Sequence, residues 1–375
     1  MFGTYPSGDQ VTSFQKHLLI DARPLNGGKT GITRYVEEFV SIWPEETNFQ
    51  TTLISNAPIQ SSLLLPSNIN YIYDDHWSSL LPGTLWLNLR IPKISRQVKA
   101  THFLGTQYAL PIWGGQHLIK TVFIHDIAFY LFPSSLKFWP RVFLRFIVNK
   151  SIQKADRIIC ISQSVLNDLV IYTGHSLPNA KVCHLGRSSQ LIPTTLRPKS
   201  SEKIRLLLVG SIEPRKNIRQ MLRIFLHMCH INREIELDIV HGDSWGKVID
   251  SDLKKEIDKT PSIKFHYKIS DSLLKELYSS ANFLMMPSLY EGFGIPVIEA
   301  IGHCSVIAND IPVFRELSEH ISGMHLFNFE GSPEKKAEEL LQLLRSVNIY
   351  EIADDKGYFT YKKFIKSLCD SMNLA

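Results

Sequence analysis

The stretch Phe283-Leu-Met-Met-Pro-Ser-Leu-Tyr-Glu-Gly-Phe-Gly-Ile-Pro-Val-Ile-Glu-Ala300 changes character three times in eighteen residues. Phe283 to Met286 are apolar and read as a buried strand. Gly292 and Gly294 let the chain turn tightly and let a ligand approach the backbone. Pro296 suits the first turn of a helix, where its missing N–H costs nothing. Strand, glycine loop and helix start belong to a parallel α/β sheet, and the N–H groups at such a helix start favour an anion. A diphosphate is the natural occupant. Glu291 and Glu299 bracket the loop, and carboxylates accept hydrogen bonds from paired sugar hydroxyls. Phosphate beside polyhydroxyl groups describes a nucleotide sugar.

Outward from this stretch, short apolar runs alternate with amphipathic ones along the chain, the pattern of doubly wound parallel sheets. Leu18-Leu-Ile20 predicts the first strand, and Ile32, Tyr35, Val36, Phe39, Val40 and Trp43 follow at helical spacing. Further strands are expected at Thr52–Ile54, Tyr71–Tyr73, Thr121–Ile124 and Arg157–Ile161. The polar stretch from Gly186 to Lys203 holds Pro193 and Pro198 and reads as a connection between domains. A second run has strands at Arg205–Val209, Glu236–Val240, Ile263–Tyr267, Phe283–Met286 and Ser305–Ala308. It includes a helix capped by Asp271. The expected division is a Rossmann-like domain over 1–190, a linker over 191–203 and a second Rossmann-like domain over 204–357. A helix over 358–375, from about Tyr358, crosses back to the first domain. Ligands bind between the carboxyl ends of two such sheets. The architecture alone also suits a dehydrogenase, an epimerase or a periplasmic binding protein, the last disfavoured by the expected lack of an export signal.

The 375 residues allow two or three domains, and 44% hydrophobic content provides full cores. A net charge of +5 and a pI near 8.8 fit an anionic donor or an anionic membrane surface. With no zinc-finger spacing and no long Lys/Arg run, no nucleic-acid partner is expected. Cys160, Cys183, Cys229, Cys304 and Cys369 form no C-x-x-C pair and read as reduced thiols of a cytoplasmic protein. The polar first sixteen residues predict no secretory signal, and no apolar run is long enough for a transmembrane helix. Any membrane contact is expected to be peripheral.

Five further segments carry chemistry. Gly27-Gly28-Lys29-Thr30-Gly31 lies between the first strand and its helix, where backbone N–H groups can approach an anion. It has neither dinucleotide-fold nor Walker spacing. His125-Asp126 follows the strand at Thr121–Ile124. Val209-Gly-Ser-Ile-Glu-Pro-Arg-Lys-Asn-Ile218 ends a strand at Gly210 and then presents Arg215 and Lys216, a fork and a point charge suited to a diphosphate. Asn309-Asp-Ile-Pro-Val-Phe-Arg-Glu316 follows the last expected strand. Residues 136–150 place Lys137, Arg141 and Arg145 every fourth position among Phe138, Trp139, Val142, Phe143, Phe146 and Ile147. Such a helix either lies on an anionic membrane or packs on the core. No metal cluster, D-x-D loop, nucleophile elbow or Cys-His pair stands out, so no cofactor or metal is expected. The leaving charge then falls to Arg, Lys and helix dipoles.

The Glu291–Glu299 stretch resembles the E-x7-E motif of retaining GT-B glycosyltransferases of the GT4 type, also called glycosyl transferases group 1. The Pro-Arg-Lys-Asn run is similar to that family's phosphate motif, with Ser211 where many members carry arginine after the glycine. The resemblance covers the chain from Leu18 to the terminal helix. It implies two Rossmann-like domains facing each other across a cleft, the first on the acceptor side and the second holding the nucleotide sugar. It implies donor contacts from Gly28, Gly31, Gly210, Arg215, Lys216, Glu291, Gly292, Phe293, Gly294 and Glu299. Glu291 would take sugar hydroxyls and Glu299 the ribose. Arg215 and Lys216 would stabilise the departing diphosphate, and His125 would lie near the C6 hydroxyl of the sugar. Glu316 matches a family glutamate and is expected to be supporting. The implied reaction moves a sugar from a UDP- or GDP-sugar to a glycan or lipid-linked acceptor with retention, for polysaccharide assembly. An epimerase or hydrolase on the same fold, or a silent sugar-nucleotide-binding subunit, remain as alternatives.

Overall fold

A computed structural model describes residues 16–27, 31–47, 49–60, 65–76, 81–132, 138–193, 203–242, 249–348 and 350–372. The first sheet has seven parallel strands: β1 (His17–Asp21), β2 (Gln50–Ser55), β3 (Ile69–Tyr73), β4 (His102–Gly105), β5 (Ile119–Ile124), β6 (Arg157–Cys160) and β7 (Ala180–Val182). Their order is β3-β2-β1-β4-β5-β6-β7. Around it lie α1 (Gly31–Glu46), α2 (Gly83–Gln97), α3 (Ala128–Leu131), α4 (Phe138–Lys154) and α5 (Gln163–Thr173). The second sheet has six: β8 (Ile204–Val209), β9 (Ile235–His241), β10 (Ile263–Tyr267), β11 (Phe283–Met286), β12 (Ser305–Asn309) and β13 (Met324–Phe327), in the order β10-β9-β8-β11-β12-β13. With it run α6 (Ile218–Ile231), α7 (Ser251–Asp258), α8 (Asp271–Ser280), α9 (Ile295–Ala300), α10 (Pro312–Ser318), α11 (Pro333–Ser346) and α12 (Tyr361–Met372).

Strand order reverses between β1 and β4 in one sheet and between β8 and β11 in the other. Loops diverge at such switch points and leave a crevice at the carboxyl ends of the strands. The turn carrying Arg215 and Lys216 follows β8, and the loop carrying Glu291 follows β11, so topology alone sets them side by side. Central strands such as Leu18-Leu-Ile20 are buried on both faces, as parallel sheets covered by helices require.

The helix α12 packs on α1 of the first sheet, with the Phe364 ring 6.0 Å from both Phe39 and Phe123. The returning chain passes Gly186 so closely that a Cβ there would lie 2.3 Å from the Tyr361 nitrogen. Arg187 N–H donates to the Phe359 carbonyl at the same crossing, 3.1 Å. One apolar cluster runs through this junction from Leu18 and Phe39 to Phe293, Ile298 and Phe314.

Several expectations need correcting. Strands β4, β7 and β13 escape the pattern because His-Phe-Leu-Gly, Ala-Lys-Val and Met-His-Leu-Phe hold neither three consecutive apolar or β-branched residues nor a longer alternation. The cap of α8 is Ser270, whose hydroxyl accepts from Leu273 N–H, and Asp271 is the first helical residue. The terminal helix starts at Tyr361, since Tyr358 is stacked on His320 with ring centroids 3.9 Å apart. Lys137 and residues 194–202 of the linker lie outside the described residues. The basic stripe on α4 is not continuous. The Arg145 guanidinium turns inward over Tyr130, 4.7 Å from the ring centroid, and donates to the Phe129 and Tyr130 carbonyls. None of the described helices is long and apolar enough to cross a membrane.

Candidate functional site

Pro214-Arg-Lys216 forms a single 3-10 turn after β8, ended by Asn217 in the left-handed conformation. The turn aims both cations at the loop after β11. Lys216 Nζ lies 2.6 Å from Glu291 Oε1, and Arg215 Nη1 lies 3.3 Å from Glu291 Oε2. The Ser288 hydroxyl donates to Oε1 at 2.8 Å, and Asn309 Nδ2 holds the Ser288 carbonyl at 3.0 Å. Arg215 Nε is fixed from behind by Glu213, 2.9 Å away. A Cβ on Gly210 would lie 3.7 Å from Lys216 Cε, so this glycine forms the floor beneath the lysine. Burial pushes the Glu291 carboxyl up, but Lys216, Arg215 and Ser288 together hold it below the ordinary range. Burial likewise opposes the charge on Arg215, and Glu291 and Glu213 more than offset it.

Gly294 takes φ 89°, left-handed, and a Cβ there would lie 2.7 Å from the Phe314 ring. Only glycine gives this turn its path into α9. Glu299 sits in that short helix and points the other way from Glu291. Its Oε1 accepts from Arg34 Nη1, and its Oε2 accepts from the Tyr278 hydroxyl at 2.9 Å. The second amino group of Arg34 donates to Asp271 Oδ1 at 2.7 Å. Burial raises the Glu299 carboxyl above its usual value, and Arg34 and Tyr278 oppose this only in part. A cavity of about 10 Å³ remains between Gly31, Arg34, Ile295, Glu299 and Tyr361. The cleft is therefore shut at this point.

The glycine loop touches the first domain directly. A Cβ on Gly292 would lie 1.8 Å from the His125 carbonyl oxygen. Ser162 donates to the Gly292 carbonyl at 2.7 Å while capping α5, and the Tyr290 hydroxyl accepts from Ile127 N–H at 3.0 Å. The His125 ring is buried against Tyr35, Phe123 and Tyr108. Burial lowers its pKa, so it is neutral at pH 7. Its Nε2 sits 2.7 Å from the Thr106 carbonyl, which can only accept, so the proton is on Nε2 and Nδ1 keeps its lone pair. Asp126 accepts from Ala128 N–H and shapes the turn into α3.

Residues 196–358 match the sequence profile described as glycosyl transferases group 1. The match spans the second sheet and helices α6 to α11, less than half of the chain. Among curated relatives, this chain is 28% identical over 246 residues to the serotype-specific mannosyltransferase WbdA of Escherichia coli. That match covers 59% of this chain and 29% of WbdA. The O-antigen chain mannosyltransferase RfbU of Salmonella typhimurium is 28% identical over 219 residues, 56% of this chain and 57% of RfbU. The chain thus spans only part of these relatives. Anabaena HepE, solved in complex with UDP and glucose, shares the fold with a TM-score of 0.62 at 15% identity over 95% of each chain. Two parallel sheets in this arrangement are the GT-B architecture.

The anticipated residues separate into sets. Gly210, Arg215, Lys216, Glu291 and Gly292 converge at the switch point, with His125 behind the loop. Gly31 abuts α9, its Cβ position 3.1 Å from Ile295 Cδ1, while Gly28 lies outside the described residues. The Phe293 side chain turns away from the cleft, between His184 and Phe359. Glu316 reaches across to the first domain. It accepts from Gln163 and Ser164 N–H at the start of α5, 2.7 and 3.0 Å, and pairs with His184 Nε2 at 2.7 Å. Two residues went unmarked in the sequence, Arg34 and Glu38. They stand one helical turn apart beside the apolar stripe of α1, which is the signal that could have found them. Arg34 bridges to Glu299, and Glu38 binds Ser188 and Ser189 just before the linker. Among the described residues no group of three or more His, Cys, Asp or Glu could hold a metal ion.

Proposed function

We propose that this chain is a retaining glycosyltransferase that moves a sugar from a UDP- or GDP-sugar to a glycan or lipid-linked acceptor in polysaccharide assembly. One observation carries the reading: Arg215 and Lys216 converge on the single carboxylate of Glu291 at the switch point of the second sheet. Lys216 and the outer amino group of Arg215 are donors that a diphosphate can take over from Glu291, while Glu213 stays on Arg215 Nε. When diphosphate oxygens take Lys216 and Arg215, Glu291 is released to accept hydrogen bonds from the sugar. The ion pair thus holds the site in shape until the donor replaces it.

In the step itself the bond from the anomeric carbon to the diphosphate oxygen breaks, and its electron pair leaves with the diphosphate. Arg215 and Lys216 stabilise that charge. The acceptor oxygen bonds to the same face of the anomeric carbon and passes its proton to the leaving phosphate oxygen. His125, neutral and with Nδ1 unprotonated, serves the sugar side as an acceptor rather than as a cation. Glu299 takes the ribose once Arg34 lets go. Metal-independence is part of the proposal, because the cations are already supplied by the chain. The five cysteines form no disulfide, which fits a cytoplasmic setting.

The test is a donor-turnover assay with and without a glycan acceptor, repeated in EDTA. Sugar transfer that needs the acceptor and survives EDTA is expected. Acceptor-independent donor breakdown would make the chain a hydrolase, and an obligate divalent ion would remove the metal-independent part. A thermal-shift series with UDP, GDP and their sugars identifies the base, since a ligand of the native state alone raises Tm.

A further inference from the structure

On α4, burial begins only at Ile147: among the described positions from Trp139 to Phe146 none is buried. Trp139 is 77% exposed, Val142 42%, Phe143 49% and Phe146 52%. Positions 139, 142, 143 and 146 share one helical face. Farther along, Ile147, Val148 and Ile152 pack into the core cluster that also takes Trp86 and Ile91 of α2. The two helices therefore cover the same side of the first sheet. Helix α2 repeats the arrangement, with Leu85 and Leu89 exposed in its first turns. Each helix leaves the carboxyl edge of the sheet, so its first turns lie at the cleft end and its last turns at the far end. The far ends carry Lys93 and Arg96 on α2, and Lys150 and Lys154 on α4.

Charge points the same way. Arg90 pairs with Asp74, Lys120 is buried and Arg145 turns inward, but Lys93, Arg96 and Lys154 stay exposed, and Asp126 is the one acid in residues 81–154. This surface also adjoins the site, since the Phe132 ring lies 6.0 Å from Tyr290, the neighbour of Glu291. We propose that the first turns of α4 and α2 dock on an anionic lipid bilayer, with their basic far ends on the headgroups and the cleft mouth at the interface. Aromatic and aliphatic side chains enter the boundary between headgroup and acyl chain, while lysines gain from the negative surface potential. A second copy of the chain is a poor occupant, because it would bring two such basic faces together. The purpose of the contact rests on the lipid-linked acceptor proposed above, but the exposure and charge do not.

Sedimentation with vesicles tests it. The full chain should pellet with phosphatidylcholine–phosphatidylglycerol vesicles and stay in solution with phosphatidylcholine alone. The doubly substituted Phe143→Gln/Phe146→Gln chain, and separately Lys150→Gln/Lys154→Gln, should each lose roughly tenfold in vesicle binding. All four side chains lie outside the catalytic and donor-binding machinery, so the donor-induced thermal shift should be kept in both. Wild-type chain that ignores anionic vesicles, or variants that pellet like wild type, overturn the proposal. A concentration-dependent dimer abolished by the Phe pair also overturns it, assigning the face to a second copy. Absence of any donor-induced shift in the wild type counts against the transferase reading alone and leaves the vesicle result standing.

Discussion

Glu291 and Glu299 stand eight residues apart in one motif and are 5% and 2% exposed, yet their carboxyls shift in opposite directions. Burial pushes both up. Glu291 faces two cations of its own domain and a serine hydroxyl, and these win. Glu299 faces one arginine, supplied by the other domain, plus a tyrosine hydroxyl, with Asp271 sharing the arginine, and burial wins. The number of cations decides the sign, and their origin decides the task. The partners of Glu291 all lie within the second domain, whereas Glu299 belongs to a contact that exists only while the two domains are closed.

The largest expected effect separates those tasks. Glu291→Gln keeps volume but removes the charge and one acceptor, so transfer should fall about 100-fold or more, roughly 3 kcal/mol at the transition state. Nucleoside diphosphate should still bind, because Lys216 and Arg215 are freed rather than lost. Glu299→Gln should instead weaken nucleotide binding, by roughly 1.5–3 kcal/mol if a charged hydrogen bond to the ribose is lost. Calorimetry with UDP and GDP beside a transfer assay reads both quantities. Equal nucleotide affinity in the two variants, with transfer intact in Glu291→Gln, would dissolve the distinction.

Arg34 tests the interdomain half of the comparison. Arg34→Gln and Glu299→Gln should be non-additive in urea unfolding, with a coupling of roughly 1–3 kcal/mol. Lys216→Gln and Glu299→Gln, in separate clusters, should simply add. Acid titration sharpens the same contrast. Glu291 has a depressed carboxyl, so its contribution is full above its unfolded pKa of about 4.3 and is lost as pH falls through the lower folded value. Glu299 has a raised carboxyl, so its contribution is full below about pH 4.3 and is lost as pH rises through the higher folded value. The stability gap between wild type and Glu291→Gln should therefore widen as pH rises from the acid side. The gap to Glu299→Gln should change in the opposite sense, above pH 4.3. Slopes of the same sign would break the comparison.

This division also explains what was legible in the sequence. The glycine loop, Pro296 and the Arg215-Lys216 turn are local devices, since each works through residues within a few positions of one another. Arg34 meets Glu299 across 265 residues of sequence and Asp271 across 237, and no local pattern encodes that meeting. The cap of α8 shows the same limit. Ser270 and Asp271 are both good caps, and only the fold shows that Ser270 takes the task while Asp271 is engaged by Arg34. Short strands such as His102–Gly105 fail for a simpler reason. The run His-Phe-Leu-Gly offers only two adjacent apolar residues, unlike the equally short Phe283–Met286, and parallel neighbours make it a strand. The aromatic turns of α4 allowed two readings, core or surface, until burial separated Ile147 from Phe143 and Phe146.

The smallest expected effects come from the two hydroxyls, one per glutamate. Ser288→Ala removes one donor from Glu291, and Tyr278→Phe removes one from Glu299. Each bond should contribute about 1–2 kcal/mol, since its acceptor is charged. Glu291 keeps Lys216 and Arg215, so Ser288→Ala should slow transfer only several-fold and leave nucleotide affinity unchanged. Glu299 has only Arg34 left, so Tyr278→Phe should push its carboxyl further up and move the stability loss to higher pH. Nucleotide affinity should then fall several-fold near neutrality and recover least where the carboxyl is protonated. A pH series of calorimetric titrations on the two variants decides this. A pH-dependent affinity loss in Ser288→Ala, or none in Tyr278→Phe, would mean that the surplus of cations around Glu291 is not what sets the two carboxylates apart.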